Sequence, residues 1–276
     1  MNAKPIVKWA GGKRQIIDKL LEYMPKEYNN YFEPFIGGGA LLFELMPKNA
    51  TINDVNQELL AIYRCLANNK WFELMISDLE EHEKNHSEEH YYEVREIDRN
   101  SDFVNLPIWK RASRAIYLNK SCFNGLYRVN SNGYFNVPSG KKKKVQTYDK
   151  DNIVKLHNYF MNENVTILEG DFARAVENAK PGDFVYFDPP YDPFDDKDSF
   201  TSYTKFNFTR DDQKRLSELF KELSDKGVYV MLSNHNTNYI NELYKNFNIH
   251  IVNAKRIINA DSKGRGNVEE VIITNY

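Results

Sequence analysis

A chain of 276 residues whose charges nearly cancel, formally −2, can bury a substantial core and offers no whole-chain attraction for a polyanion. Its two cysteines, Cys65 and Cys122, have no CxxC spacing, which excludes a disulfide scaffold and suits a reducing cytoplasm. No apolar run approaches the roughly eighteen residues of a membrane span and no apolar stretch follows Met1, so neither export nor a membrane location is expected. The balance hides a partition. Residues 71–102 carry eleven acids against three Lys/Arg, a net of −8, and residues 103–150 carry ten Lys/Arg against one acid, a net of +9. That asymmetry points to one basic face directed at a polyanion.

In chain order, Lys8-Trp9-Ala10-Gly11-Gly12-Lys13-Arg14 leads into an amphipathic helix whose apolar stripe is Ile16, Ile17, Leu20 and Leu21. A P-loop would need glycine at position 7 and Ser/Thr at 14; Val7 and Arg14 fail both. Tyr31-Phe32-Glu33 then reads as a strand, Pro34 to Ala40 as a triple-glycine turn, and Leu41 to Leu45 as a helix, the first βα unit of a doubly wound sheet. Leu42 stands where the dinucleotide fingerprint needs its third glycine, which favours a nucleoside ligand over a nicotinamide cofactor. Ala50 to Asp54 is a second strand ending on an acid. Asp54 either accepts from ribose hydroxyls or caps the helix from Asn56 to Leu66.

Residues 66–127 are helical by pattern. His82, His86 and His90 are expected on one helical face among glutamates, a solvated acidic surface with no metal. Asn132-Gly133 predicts a two-residue turn joining Arg128–Asn130 to Tyr134–Val137. Such a ribbon fits a major groove, where Arg and Asn read base edges, and Lys141 to Lys144 would grip phosphates. Val165 to Leu168 is a strand ending at Glu169-Gly170-Asp171-Phe172, where Asp171 could take an adenine amino group and Phe172 pack on its ring. Phe184-Val185-Tyr186-Phe187 is a buried strand halted by Pro189 and Pro190, which puts Asp188 at the sheet's carboxyl edge, where α/β sheets bind ligands. Asp188-Pro189-Pro190-Tyr191 is then an acceptor cluster beside an aromatic plate, suited to a flat group bearing an NH₂; alone, it is equally an N-capping acid before a Pro-Pro turn. A lid over 192–207, a helix over 209–224, a strand over 228–233, a helix over 237–245, strands over 249–253 and 270–274, and a basic loop over 262–266 complete the chain.

Together, Lys8 to Lys13, Glu33-Pro34-Phe35-Ile36-Gly37-Gly38-Gly39, Asn53-Asp54, Phe123-Asn124-Gly125-Leu126-Tyr127-Arg128, Phe135-Asn136-Val137-Pro138, Gly170-Asp171-Phe172 and Asp188-Pro189-Pro190-Tyr191 resemble the Dam-like DNA adenine N6-methyltransferases of the DpnII-type modification-methylase family. The resemblance spans nearly the whole chain. It implies an α/β fold: a Rossmann-like, mostly parallel methyltransferase sheet carrying an inserted helical and β-hairpin DNA-recognition region. Residues 1–65 and 151–276 would be the catalytic domain and 66–150 the target-recognition domain. It implies S-adenosylmethionine as cofactor, held by Trp9, Ala10, Gly11 and Lys13, by Pro34, Phe35, Gly37 and Gly39, and by Asp54, Asp171, Phe172 and Asp188. Asp188, Pro189, Pro190 and Tyr191 would be catalytic. Lys8, Phe123, Asn124, Leu126, Arg128, Asn130, Pro138 and Lys142 would contact double-stranded DNA, usually at GATC; Phe123 and Lys142 stand where relatives can carry tyrosine. A companion restriction endonuclease is compatible with this reading. The residues alone leave open cytosine N4 or an RNA adenine as target, and a non-catalytic DNA-binding protein on the same fold.

Overall fold

Phe184–Phe187 is buried at every position, as a central parallel strand must be. The structure, a computed structural model, describes residues 3–9, 11–193, 208–255 and 267–276. Its strands are β1 (Tyr31–Glu33), β2 (Asn49–Asp54), β3 (Asn164–Glu169), β4 (Phe184–Phe187), β5 (Tyr229–His235), β6 (Asn248–Lys255) and β7 (Asn267–Thr274). They form one seven-stranded sheet in the order β3-β2-β1-β4-β5-β7-β6. All neighbours are parallel except at β7, which runs antiparallel to β5 and β6. This is the expected doubly wound, Rossmann-like sheet. Strand order reverses between β1 and β4, and the carboxyl ends of such a pair are where sheets of this kind bind ligands.

Alternation along the strands divides the core. Tyr31, Phe184, Tyr186 and Met231 join one apolar cluster, while Phe32, Val185, Phe187, Val230 and Leu232 join another on the opposite face. The second cluster is closed by α8 (Arg210–Asp225) and α9 (Asn238–Leu243) through Leu216, Phe220 and Ile240. The first is closed by α1 (Ile17–Tyr23), α2 (Ala40–Leu45), α3 (Gln57–Leu66) and α7 (Lys150–Asn162). It continues without a break into α4 (Asn69–Lys84), α5 (Glu88–Glu96) and α6 (Ile108–Ser121), through Met75, Leu79, Tyr91, Ile116 and Tyr117. The helices of the middle segment therefore share a core with the sheet.

Two expectations fail here. Asn85 ends α4 and Ser87 caps α5, so His82, His86 and His90 do not lie along one helix. Nor are they solvated. His82 Nδ1 lies 3.0 Å from His90 Nε2, His86 Nδ1 lies 2.8 Å from the Tyr117 hydroxyl, and the His82 ring stacks on Tyr117. The ribbon after α6 also differs. Asn130 N bonds the Tyr134 carbonyl and Gly133 N the Asn130 carbonyl, both at 2.9 Å, so the loop has three residues, with Gly133 at φ +85°. Gly133 supplies the left-handed residue that such a loop requires. The ribbon pairs through an isolated bridge, Val129 to Phe135, not through a ladder.

Candidate active site

Pro189 and Pro190 stop the ladder, so Asp188 leaves the sheet beside the neighbouring strand end, Phe187 being in register with Leu232. Lys13, only 5% exposed, places Nζ 2.8 Å from Asp188 Oδ1. The same ammonium donates to the Gly11 carbonyl and stands 4.4 Å from the centroid of the Tyr191 ring. Ser233 Oγ donates to Asp188 Oδ1 at 2.9 Å and shares a hydrogen bond with the Tyr186 hydroxyl. Both donors converge on Oδ1, which orients the carboxylate and leaves Oδ2 outside these two bonds. Burial pushes the Asp188 carboxyl above its ordinary range, with Lys13 and Ser233 opposing.

Tyr191 is held at both ends. Its hydroxyl donates to Glu270 Oε2 on β7 at 3.0 Å, and His235 packs edge-on with ring centroids 4.8 Å apart. The Pro190 carbonyl accepts from Gln213 Nε2 on α8 at 2.8 Å, and Asn234 Nδ2 donates to Gln213 Oε1. Glu33, buried at the end of β1, accepts from the Tyr31 hydroxyl. Burial raises the Glu33 and Glu270 carboxyls too, Glu33 strongly; the 2.8 Å contact makes Asp188 the partner of Lys13.

Next to this cluster lies the glycine turn. Gly37 has φ +47°, and a Cβ there would meet Trp9 Cδ1 at 3.0 Å, so the indole lies directly against the turn. Trp9 also packs on Tyr127 at 4.7 Å, joining the turn to the ribbon segment. Asp54 Oδ2 accepts from Gly37 N at 3.1 Å and Oδ1 from Asn56 N at 2.9 Å. Asn56, not Asp54, caps α3. Burial raises the Asp54 carboxyl despite these amides. Asn53 Nδ2 donates at 2.9 Å to the carbonyls of both Pro34 and Gly170, tying the ends of β1, β2 and β3 together. Beyond Gly170, Asp171 is not free and Phe172 is not an open plate. Arg215 Nη2 lies 2.7 Å from Asp171 Oδ2, and the guanidinium sits 4.3 Å from the Phe172 ring centroid. Phe172 is buried, stacked with Phe35 and tilted against Phe208. Burial alone would raise the Asp171 carboxyl, but Arg215 and the Ala173 amide hold it below its ordinary range. Ala10 and all but the first residues of the expected lid lie outside the described residues, as does the basic loop at 262–266.

On the basic face, Lys8, Phe123, Asn124 and Lys142 line one cavity of about 320 Å³ together with Lys120. Asn119 builds it by accepting from Lys8 N and donating to the carbonyls of Lys8 and Gly125. Burial, with Lys8 and Lys142 nearby, lowers the Lys120 ammonium. Lys142 Nζ donates to the Lys120 carbonyl. Arg128 is exposed and bonds Asn136 Oδ1 at 2.7 Å; Pro138 is exposed and Leu126 packs on the core. Asn130 Oδ1 accepts from the amides of Asn132 and Tyr134 and so builds the loop. The ribbon is anchored from beneath. Asp98 Oδ2 accepts from Phe135 N at 2.8 Å and pairs with buried Arg114 at 2.9 Å, while Arg99 donates to the Phe135 carbonyl.

Ser233, Glu270, Gln213, Asn234 and Arg215 complete these sites without having been singled out from the sequence. Only Ser233-Asn234-His235 carried a usable signal, polar residues at a strand's carboxyl end. Among the described residues, no helix is long and apolar enough to cross a membrane.

The chain has close counterparts among known proteins. The profile of the family described as D12 class N6 adenine-specific DNA methyltransferase matches residues 9–258. The chain is 47% identical to the Type II methyltransferase M1.LlaDCHI of Lactococcus lactis subsp. cremoris, covering all of this chain and 96% of the relative. It is 41% identical to the Type II methyltransferase M.MjaIII of Methanocaldococcus jannaschii over the full length of both. It is 28% identical to the DNA adenine methylase of Escherichia coli K12, covering 98% and 94% of the two chains.

Proposed function

The chain belongs to the D12 class N6 adenine-specific DNA methyltransferase family, and from that premise we propose that it transfers a methyl group from S-adenosylmethionine to a flipped adenine in double-stranded DNA, within GATC. The observation that carries the chemistry is the Asp188 carboxylate, oriented by Lys13 and Ser233 beside the Tyr191 ring. The residues along the crevice fit an adenosine-bearing cofactor. A glycine turn permits close approach, Asp54 lies at the end of β2, and Asp171 beside Phe172 already holds a planar cation in the manner of an aminopurine. Trp9, Lys13, the Gly37–Gly39 turn, Asp54, Asp171 and Phe172 would hold the cofactor, and its sulfonium would supply an electrophilic methyl.

The chain's own groups then have distinct tasks. A base must leave the duplex stack before its amino group can react, and Tyr191 would stack on it. Asp188 and the Pro189 carbonyl accept the two N6 protons in hydrogen bonds, drawing the nitrogen toward tetrahedral geometry and freeing its lone pair. Lys13 favours the ionised form of Asp188 against the effect of burial, and Glu270 with His235 fixes the Tyr191 ring. Positioning and electrostatics supply the rate. Residues 66–150 form the target-recognition unit of this proposal. Arg128, Asn124 and Leu126 would read the site, Lys8, Phe123 and Lys142 would line its approach, and Asn130 would hold the loop.

The test is transfer of labelled methyl to an unmodified GATC duplex, with nucleoside analysis and a GTTC control. N6-methyladenine on the first duplex only is the expected result. Label on mixed genomic DNA but not on GATC removes the specificity and keeps the reaction. Asp188→Asn should lower transfer by at least about 10²-fold while sparing DNA binding; full turnover would remove Asp188 from its role.

A further inference from the structure

Arg215 occupies both contacts that an adenine would need beside β3. Its guanidinium donates to the Asp171 carboxylate at 2.7 Å and lies 4.3 Å from the Phe172 ring centroid. N–H donors on an acid and a cationic carbon over an aromatic ring occupy the two groups that a 6-aminopurine would use, the acid for its amino group and the ring for its face. Phe172 is only 4% exposed, so a purine reaches its ring only if a covering group leaves. Phe35 and Phe208 pack into the apolar cluster around it and are poor candidates. The Arg215 side chain is 47% exposed and has a second carboxylate at hand, Asp212 Oδ1 at 3.6 Å one turn earlier on α8.

We propose that Arg215 is a displaceable occupant of the adenine subsite, which must release Asp171 and Phe172 and move toward Asp212 before the cofactor's adenosine end seats. The inference rests on the cofactor reading above. Cofactor affinity is then set against an internal competitor that pairs with the carboxylate and covers the ring. Asp212 is a positioning residue in this scheme: its Oδ1 faces Arg215 while its Oδ2 accepts from Thr209 N and Oγ1 in the capping box of α8, a role that Asp212→Asn leaves an acceptor for.

Titration calorimetry of the DNA-free protein with S-adenosylhomocysteine and with S-adenosylmethionine tests the proposal. A half-exposed ion pair and one cation–π contact are each worth a few-fold in an equilibrium, so Arg215→Ala should tighten both ligands about three- to tenfold. Arg215→Lys, which keeps the charge but loses the planar fork, should fall between. Asp212→Asn should weaken binding in the native chain and have no effect in the Arg215→Ala background. Asp171→Ala in the Arg215→Ala background, where the competitor is already gone, serves as the control. If it weakens binding relative to Arg215→Ala while Arg215→Ala itself leaves affinity unchanged or lowers it, the competitor role is overturned and the adenine subsite stands. If it leaves both affinities at the Arg215→Ala value, the subsite reading itself fails, and the proposal with it.

Discussion

Replacing Lys13 by methionine isolates the interaction on which the candidate active site depends. The Lys13–Asp188 pair spans 2.8 Å, with side-chain exposures of 5% and 20%. Removing one partner of a buried pair typically costs about 3–5 kcal/mol, because the other charge stays buried without compensation. Asp188 keeps its Ser233 bond and some exposure, which places the expected loss near the lower end, about 3 kcal/mol at pH 8. The loss should depend on pH with a definite sign. Burial already lifts the Asp188 carboxyl above its unfolded value, and Lys13 opposes that lift. Without Lys13 the folded pKa rises further, so the penalty is full above it and is relieved as pH falls through it, by at most about 1.4 kcal/mol per pH unit. Urea denaturation of native and Lys13→Met proteins at pH 8 and pH 5 reads this directly. The stability gap should narrow at pH 5, and adding Asp188→Asn to Lys13→Met should recover most of the loss at pH 8. A gap of equal size at both pH values, or additive effects in the double variant, would refute the assignment of Lys13 as the counter-charge of Asp188.

Arg128→Ala should narrow the discrimination between GATC and single-mismatch duplexes by about tenfold or more, since a bidentate base contact is worth roughly 1–3 kcal/mol. Among the described residues its side-chain bonds run to Asn136, so thermal stability should hold; unchanged discrimination would count against its role in reading the site. Asp98→Ala leaves buried Arg114 without its acid and Phe135 N without its acceptor. It should cost about 3–5 kcal/mol and speed hydrogen exchange at the Phe135 amide; an unaltered amide would mean that the ribbon is anchored elsewhere.

Three acids at strand ends, Asp54, Asp171 and Asp188, were legible because each signal is local: a run of strand formers running into an acid, with Gly170 before Asp171 and two prolines after Asp188. The glycine turn, the run of βα units and hence the parallel sheet were legible for the same reason. What surrounds those acids was not. Ser233 is 45 residues from Asp188 and Glu270 is 79 from Tyr191. They meet only because β5 lies beside β4 and β7 inserts antiparallel beside β5. No periodicity encodes strand order or register across such separations. Arg215 covers Phe172 because α8 packs over that face of the sheet, so the ring that composition offers as an open plate is covered in the fold. The histidine spacing suggested one face until the chain broke at Asn85 to Ser87 and turned His86 toward Tyr117. Local sequence thus determined where chemistry could be placed along the sheet edge. Packing between distant elements decided which partners each group meets, and so its charge state and whether a ligand finds it free.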